Sequence, residues 1–375
     1  MAVTPFDTPQ DLSGTRLLLR ASLNVPVEGG RITNAFRLKE SLKTIELFAA
    51  RGARLVVLGH IGSAKTDSLR PVFEALRKET PLTIRFAEDV AGPRSRAAAE
   101  SLRDGEVLLL ENVRRDPGEE NNSPDFAARL ASLGDVYVND AFSDSHRTHA
   151  SIIGVPKLLP HFAGPNFIRE MEGILPARTP KSPSIAVIGG AKFQTKEPLL
   201  SFLLERYDHV FVGGALANDF FKAKGYEVGV SLISGNAKYI IGLLKNSKLI
   251  LPSSLMVLGP NGVREVSPDG IAPSEQVLDV APGSFAAVAP FVAKAKSILW
   301  NGPMGKFEHG FTEGTETLVK LIVASKAESV IGGRDTVAVI EQLGIRTHFT
   351  HVSAAGGAML KFIADGTLVG IEALG

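Results

Sequence analysis

The 375 residues include no cysteine. That excludes a disulfide framework, a thiolate nucleophile and any cysteine-ligated zinc or iron–sulfur centre, and it suits a reducing compartment. Charge of one sign is not in excess either. The 41 Lys and Arg are matched by 40 Asp and Glu, a net charge of +1, so no global field draws nucleic acid or an anionic membrane and an anionic ligand needs local clusters. No run approaches the ~18 apolar residues of a membrane span, and Met1 to Gln10 lacks the basic and apolar regions of a signal peptide. The expected setting is cytoplasmic, with neither nucleic acid nor membrane as partner. No G-x-x-x-x-G-K-[ST] is found and the protein-kinase signatures are missing, which argues against a P-loop ATPase and a protein kinase. What remains is ordinary globular composition, 44% hydrophobic and 22% charged, in a chain long enough for two domains.

Short apolar runs recur, each ending in Gly or a polar residue: RLLLR to Arg20, RLVVLG to Gly59, VLLLEN to Asn112 and DVYVND to Asp140. The second half repeats the habit with SIAVIGG to Gly190, HVFVGG to Gly214, SILWNG to Gly302 and SVIGG to Gly333. These runs are too brief for helices and read as buried parallel strands. Amphipathic stretches lie between them, at Arg37 to Ala50, Pro124 to Leu133, Glu197 to Glu205 and Thr315 to Ala324. The alternation predicts an α/β chain of two Rossmann-like domains with parallel sheets. A boundary falls near residue 163, where Pro156, Pro160 and Gly164-Pro165 precede a charged helical stretch, Phe167 to Leu175.

In such sheets ligands bind beyond the carboxyl ends of the strands. The first half places Asn24, Arg37, His60, Arg114 and Arg147 there, and 16 of the 22 arginines precede residue 164. Planar guanidinium groups suit a small carboxylate or phosphate. The second half places glycine pairs and lysines there instead: Gly189-Gly190-Ala191-Lys192, Gly213-Gly214, and Gly332-Gly333 before Asp335. Glycine loops let a polyphosphate approach backbone N–H groups at helix N-termini. Two domains with different ligands, facing one another, are expected.

Each motif alone has a plainer alternative. The segment Gly189 to Lys196 is a phosphate site or a turn with solvated lysines. Asp335, after Gly332-Gly333-Arg334, is a carboxylate for Mg²⁺ or a helix N-cap. Ser353 to Gly357 is a third glycine-rich helix start or a simple loop. His146 and His149 flank Arg147 with no further ligand nearby, which favours hydrogen bonding or anion binding over a metal. His348 and His351 read as structural.

Taken together, LENVRRDPGEE, GDVYVNDAFSDSHRTHAS, GGAKFQTK, LWNGPMGKFE from Leu299 to Glu308, and IGGRDT resemble the phosphoglycerate kinase family, in order, over essentially the whole chain. The resemblance implies two domains joined by a hinge helix around Ala163 to Leu175, residues 1–163 binding the glycerate substrate and 164–351 the nucleotide, with 352–375 returning to the first. It implies reversible phosphoryl transfer between 1,3-bisphosphoglycerate and ADP, giving 3-phosphoglycerate and ATP with Mg²⁺, by a monomer. Asn24, Arg37, His60, Arg114 and Arg147 correspond to its glycerate-site residues. Lys192, Lys196, Asn301, Glu308, Asp335 and Thr336 correspond to its nucleotide contacts, with Asp335 toward the metal. Gly189, Gly190, Gly213, Gly214, Gly332 and Gly333 would line the nucleotide path. Arg37, Lys192, Gly333 and Gly356 would face the transferred group, where phosphoryl transfer asks for positioning and charge neutralisation.

The departures from the family pattern fall on the glycerate side. The first strand is followed by Ser22 where the pattern V-D-x-N-V-P has Asp, and His60-Ile61-Gly62-Ser63 stands where H-x-G-R has Arg. Loss of one charged hydrogen bond costs ~1.5–3 kcal/mol. Lys65 or Arg115 is expected to replace the missing charge at position 63. Ala215, Arg334, Ala354 and Ala355 also replace customary glycines. The alternatives to a working kinase are a nucleotide-binding relative with a decayed glycerate site, or a kinase for another small phosphorylated acid.

Overall fold

The structure, a computed structural model, describes residues 3–7, 10–191, 196–234 and 237–375. The chain divides into two compact units, Met1–Glu172 with Thr367–Gly375, and Gly173–Gly366.

The first unit is built on β1 (Arg16–Arg20), β2 (Val27–Glu28), β3 (Arg31–Ile32), β4 (Arg54–Leu58), β5 (Ile84–Phe86), β6 (Val107–Leu109), β7 (Val136–Asn139) and β8 (His161–Ala163). Strands β2 and β3 form a separate antiparallel hairpin, and the others form one parallel sheet in the order β5-β6-β4-β1-β7-β8. The central strands are apolar on both faces because helices cover both. Leu17, Leu19, Leu55 and Val57 join Ile45 and Phe48 of the helix Phe36–Ala50 in one core. From β1 the connections run toward β4 and β6, then return to the other side at β7. The strand order therefore reverses between β1 and β7, where ligands of such sheets bind.

The second unit is also built on a six-stranded parallel sheet, but with a different strand order. Its strands are β9 (Ser184–Ile188), β10 (His209–Val212), β11 (Leu249–Ile250), β12 (Leu255–Gly259), β13 (Gly262–Val266), β14 (Gln276–Val280), β15 (Ser297–Asn301), β16 (Glu328–Gly332) and β17 (His351–Val352). The parallel sheet runs β11-β10-β9-β15-β16-β17, with its reversal between β9 and β15. Both bear helices at the carboxyl ends of their strands, including Glu197–Arg206 and Arg334–Leu343.

The expected strands and helices all form, within a few residues at their ends. An antiparallel sheet, β13-β12-β14, is added to the parallel architecture. Its hairpin closes through Pro260-Asn261, with Gly259 opposite Gly262 at φ +96°; proline suits the first central position of the turn, and glycine takes the left-handed conformation that follows it.

The division between the units differs from the sequence boundaries. The strand β8 is an edge of the first sheet, and the helix that follows, Pro165–Ile174, starts within the first unit. Asp140 Oδ1 and Oδ2 accept Asn166 N–H and Nδ2–H, each at 2.7 Å, and Arg169 pairs with Glu40 at 2.5 Å. Burial pushes the Asp140 carboxyl up to about 6 despite these hydrogen bonds. At the other end, β17 pairs with β16, so the return to the first unit begins at Thr367, not at 352. There Gly370 N–H donates to Ser145 O at 2.8 Å.

Candidate functional site

The reversal of the first sheet gathers the arginine-rich set. Asn24 lies just past β1, and its Oδ1 accepts Gly62 N–H at 3.0 Å while its carbonyl accepts Arg37 Nη1–H at 3.2 Å. Arg114, in the turn after β6, donates from Nη1 to Gly62 O at 2.6 Å. The loop after β4 is thus clamped at Gly62, a left-handed residue at φ +62°, between two of the expected site residues. Asn112 holds the same loop by donating Nδ2–H to Ile61 O and Asp67 O. His60 at the start of the loop is buried, and Arg147 places Nε 3.8 Å from Asp144 Oδ1. The five expected residues therefore converge on Gly62 and Asp144.

This cluster is rich in donors. His60 Nδ1 lies 3.2 Å from Arg20 Nη2 and 3.4 Å from Asp144 Oδ2. Burial lowers the His60 pKa, with Asp144 opposing, which keeps the ring neutral. Among the described residues, His60 Nε2 and Arg114 Nη2 are buried without a hydrogen-bond partner. Buried polar groups of this kind are costly unless a partner meets them. Burial and the neighbouring Arg147 also lower the Arg114 pKa, with Asp144 and Glu120 opposing. The arrangement suits a compact anion bearing carboxylate or phosphate oxygens.

Two members of the cluster escaped the sequence reading. Arg20, the last residue of β1, is 1% exposed and donates to Ser151 Oγ at 3.0 Å and Ala21 O at 2.6 Å. Asp144 lies after β7, with Oδ2 3.2 Å from Arg20 Nη2 and 3.4 Å from His60 Nδ1. Burial works against its charge, yet His60, Arg20 and Arg37 hold the carboxyl well below the usual range. Charged residues closing an otherwise apolar strand and turn were the available signal.

Of the two residues expected to replace the charge missing at position 63, Arg115 is committed elsewhere. Its Nη1 donates to the buried Glu111 at 2.8 Å and its Nε to Lys65 O at 3.4 Å. Glu111 also accepts Ser68 Oγ–H and Leu69 N–H, so Arg115 braces the loop. Lys65 is exposed on that loop.

The second unit offers backbone in place of guanidinium. Gly189 and Gly190 follow β9, and Gly302 follows β15. A methyl on Gly189 would overlap the carbonyl oxygens of Pro303 and Gly302, so the glycines let two loops touch backbone to backbone. Gly189 N–H donates to Asn301 O at 2.8 Å and Gly190 N–H to Pro303 O at 2.9 Å. Gly213 packs beside Met304, and Gly214 against Gly190 and Pro303. These four glycines were expected along the nucleotide path; the amides of Gly189, Gly190 and Gly213 are used in building the turn, Gly213 N–H donating to Ile188 O. Gly332 packs on Met359.

Lys196 precedes the helix Glu197–Arg206 and is buried, with Nζ donating to Gly189 O. Burial pushes its ammonium down to about 8, and Asp335 pulls the other way. Asp335 is exposed in the first turn of the helix Arg334–Leu343, behind Gly333 at φ +101°. Asn301 is buried with Nδ2 lacking a partner among the described residues, 3.3 Å from where a Cβ on Gly332 would stand. Thr336, expected at the phosphate end, is buried, and its Oγ1 accepts Gly302 N–H at 3.0 Å. Glu308 and Arg334 are exposed, and Gly356 caps the helix Gly357–Asp365 with φ +58°. Lys192 lies outside the described residues. No group of three or more His, Asp or Glu is placed to hold a metal among the described residues. A magnesium ion here fits the donor set of Asp335 plus phosphate oxygens, the way Mg²⁺ commonly binds with its substrate.

No described helix is long and apolar enough to cross a membrane. The family model for phosphoglycerate kinase matches residues 7–366. A phosphoglycerate kinase of Methylorubrum extorquens is 39% identical, covering 99% of each chain. That of Thermus thermophilus is 42% identical, covering 97% of this chain and 98% of its own. The crystal structure of phosphoglycerate kinase from Pyrococcus horikoshii superposes with a TM-score of 0.86 at 30% identity, over 97% of this chain and 96% of that one. An arginine-lined reversal, a glycine-built reversal and full-length similarity agree that the chain belongs to the phosphoglycerate kinase family.

Proposed function

We propose that this phosphotransferase moves a phosphoryl group reversibly between 1,3-bisphosphoglycerate and ADP, with the glycerate held by the first unit and the nucleotide by the second. The observation that carries the glycerate assignment is the convergence of Arg37, His60, Arg114 and Arg147, with buried His60 Nε2 and Arg114 Nη2 lacking partners among the described residues. Asn24 orders the loop beneath them. On the nucleotide side, Lys196 and Asn301 supply buried donors, and Asp335 holds Mg²⁺. Glu308 is assigned to the ribose, Lys192 to the phosphates, and Gly333 and Gly356 to helix starts facing the transferred group.

In the direction of ATP use, a carboxylate oxygen of 3-phosphoglycerate attacks the terminal phosphorus, and the bond to the leaving oxygen of ADP breaks. The carboxylate is already ionised, so no general base is needed. Arg37 balances charge on the phosphoryl oxygens, and the first-unit arginines fix the acceptor for in-line attack. Bound Mg²⁺ supplies neutralisation of phosphate charge. Water exclusion and localisation in the cytoplasm follow the family expectation, as does a monomeric state.

The test is ATP- and Mg²⁺-dependent phosphorylation of 3-phosphoglycerate by the purified chain in a coupled assay, with Lys192→Ala as the contamination control. Saturable turnover that the control abolishes supports the assignment. Intact ATP binding with no turnover at saturating 3-phosphoglycerate overturns it.

A further inference from the structure

The family resemblance leads one to expect a carboxylate at position 22, beside the reversal of the first sheet, and the chain has Ser22 there. The structure pairs that serine across the reversal. Ser22 Oγ, after β1, lies 2.6 Å from Ser143 Oγ, after β7. The next residue along is Asp144, 3% exposed. Its carboxylate touches three positive or polar members of the anion-receiving cluster: Arg20 at 3.2 Å, His60 at 3.4 Å and Arg147 at 3.8 Å. A negative charge has not vanished from the reversal; it stands one residue beyond the serine that Ser22 contacts.

We propose that Asp144 is a positioning residue for the glycerate acceptor, supplying from the β7 side the carboxylate that the β1 side lacks and so holding Arg20, His60 and Arg147 in their receiving arrangement. The inference rests on the glycerate assignment above. Arg20, Arg37, Arg114 and Arg147 form a crowded set, and a buried guanidinium keeps its place only when a counter-charge and hydrogen bonds compensate its lost hydration. Among the described residues, Arg20 otherwise hydrogen-bonds only Ser151, Ala21 O and a neutral imidazole. Of the other carboxylates of the cluster, Glu120 is half exposed and lies against Arg114 Nε at 3.6 Å, and Glu119 is buried beneath Ser151 and accepts its N–H and Oγ–H at 2.9 and 2.6 Å, while burial favours its protonated form. Asp144 is thus the carboxylate poised to carry the compensating charge. The Ser22–Ser143 hydroxyl pair keeps one free proton and several lone pairs, enough to meet a substrate hydroxyl without adding charge.

Calorimetric titration of 3-phosphoglycerate into the full chain, with Mg·ADP titrated separately, tests the assignment. Asp144→Asn is expected to weaken 3-phosphoglycerate roughly tenfold or more and to leave Mg·ADP within about twofold. Ser22→Asp alone is expected to weaken 3-phosphoglycerate too, because it adds a second negative charge. In the Asp144→Asn background the same change is expected to restore most of the lost affinity, which a purely structural residue would not allow. A folded Asp144→Asn with unchanged acceptor affinity overturns the proposal. So does a Ser22→Asp single variant that tightens 3-phosphoglycerate, since that would show a charge still missing, and this readout stands even if Asp144→Asn fails to fold. A parent chain that binds Mg·ADP but not 3-phosphoglycerate overturns the glycerate assignment itself, and the proposal with it.

Discussion

The two units each carry a six-stranded parallel sheet, connected in a different order, and set different loop chemistry at the point where that order reverses. In the first, the strand order reverses between β1 and β7, and the loops there carry Arg37, His60, Arg114 and Arg147 around Gly62 and Asp144. In the second, it reverses between β9 and β15, and the loops are glycines packed backbone to backbone, with Lys196 buried behind them. Guanidinium groups read a small rigid acid by direction and number, while a close backbone turn gives an extended phosphate chain room beside helix starts. The fold supplies the position in both, and the loop chemistry decides the ligand.

The largest break in this comparison is expected from Arg37→Ala. It should lower turnover by about 10³-fold, as loss of an arginine facing a transferred phosphoryl group does elsewhere, while Mg·ADP affinity stays unchanged; steady-state kinetics with both substrates checks it. Next comes Arg114→Ala, which removes a buried donor and the clamp on Gly62. Losing a charged hydrogen bond costs ~1.5–3 kcal/mol, so 3-phosphoglycerate affinity should fall by roughly ten- to a hundredfold in a direct titration, again sparing the nucleotide.

The opposite break is Gly189→Ala. Its methyl would overlap backbone oxygens of Pro303 and Gly302, and overpacking of this kind costs ~1–3 kcal/mol. Mg·ADP binding should weaken and 3-phosphoglycerate binding should persist. A pH series sharpens the nucleotide side further. Lys196 has its ammonium lowered to about 8, so its charge is present below that pH and is lost as pH rises through it. Nucleotide affinity should therefore decline above pH 8, by up to about tenfold per unit, and Lys196→Arg should move that decline to higher pH. The smallest effect is expected from Arg115→Ala, which loosens a half-exposed pair with Glu111; a melting curve should shift by a few degrees at most, with little change in acceptor affinity.

Much of the fold was legible because parallel strands buried on both faces read as apolar runs, as in RLLLR, RLVVL and SILWN. Short edge strands were not. IRF and HFA, three residues each, carry too little pattern to separate from loops. The antiparallel hairpin turns through Pro260-Asn261 into Gly262, and one such turn in a chain of 37 glycines and 22 prolines does not stand out until the flanking strands are paired. In the site, residues at strand ends could be read from their neighbours in the chain. Asp144 could not, because its role depends on Arg20, His60 and Ser22, which reach it only through the sheet. Arg115 shows the reverse error. As a spare charge near Ser63 it was a natural replacement, and only Glu111, four residues back and buried, reveals that it is already paired. Likewise the glycine pairs after β9 and β10 suggested open amides, and the structure spends those of Gly213, Gly189 and Gly190 on Ile188, Asn301 and Pro303.

The most direct test of the contrast is a pair of titrations on two variants, 3-phosphoglycerate and Mg·ADP each into Arg114→Ala and Gly189→Ala. A division of labour between the units predicts that Arg114→Ala loses the acid and keeps the nucleotide, and that Gly189→Ala does the reverse. Either variant losing both ligands equally while remaining folded would contradict it.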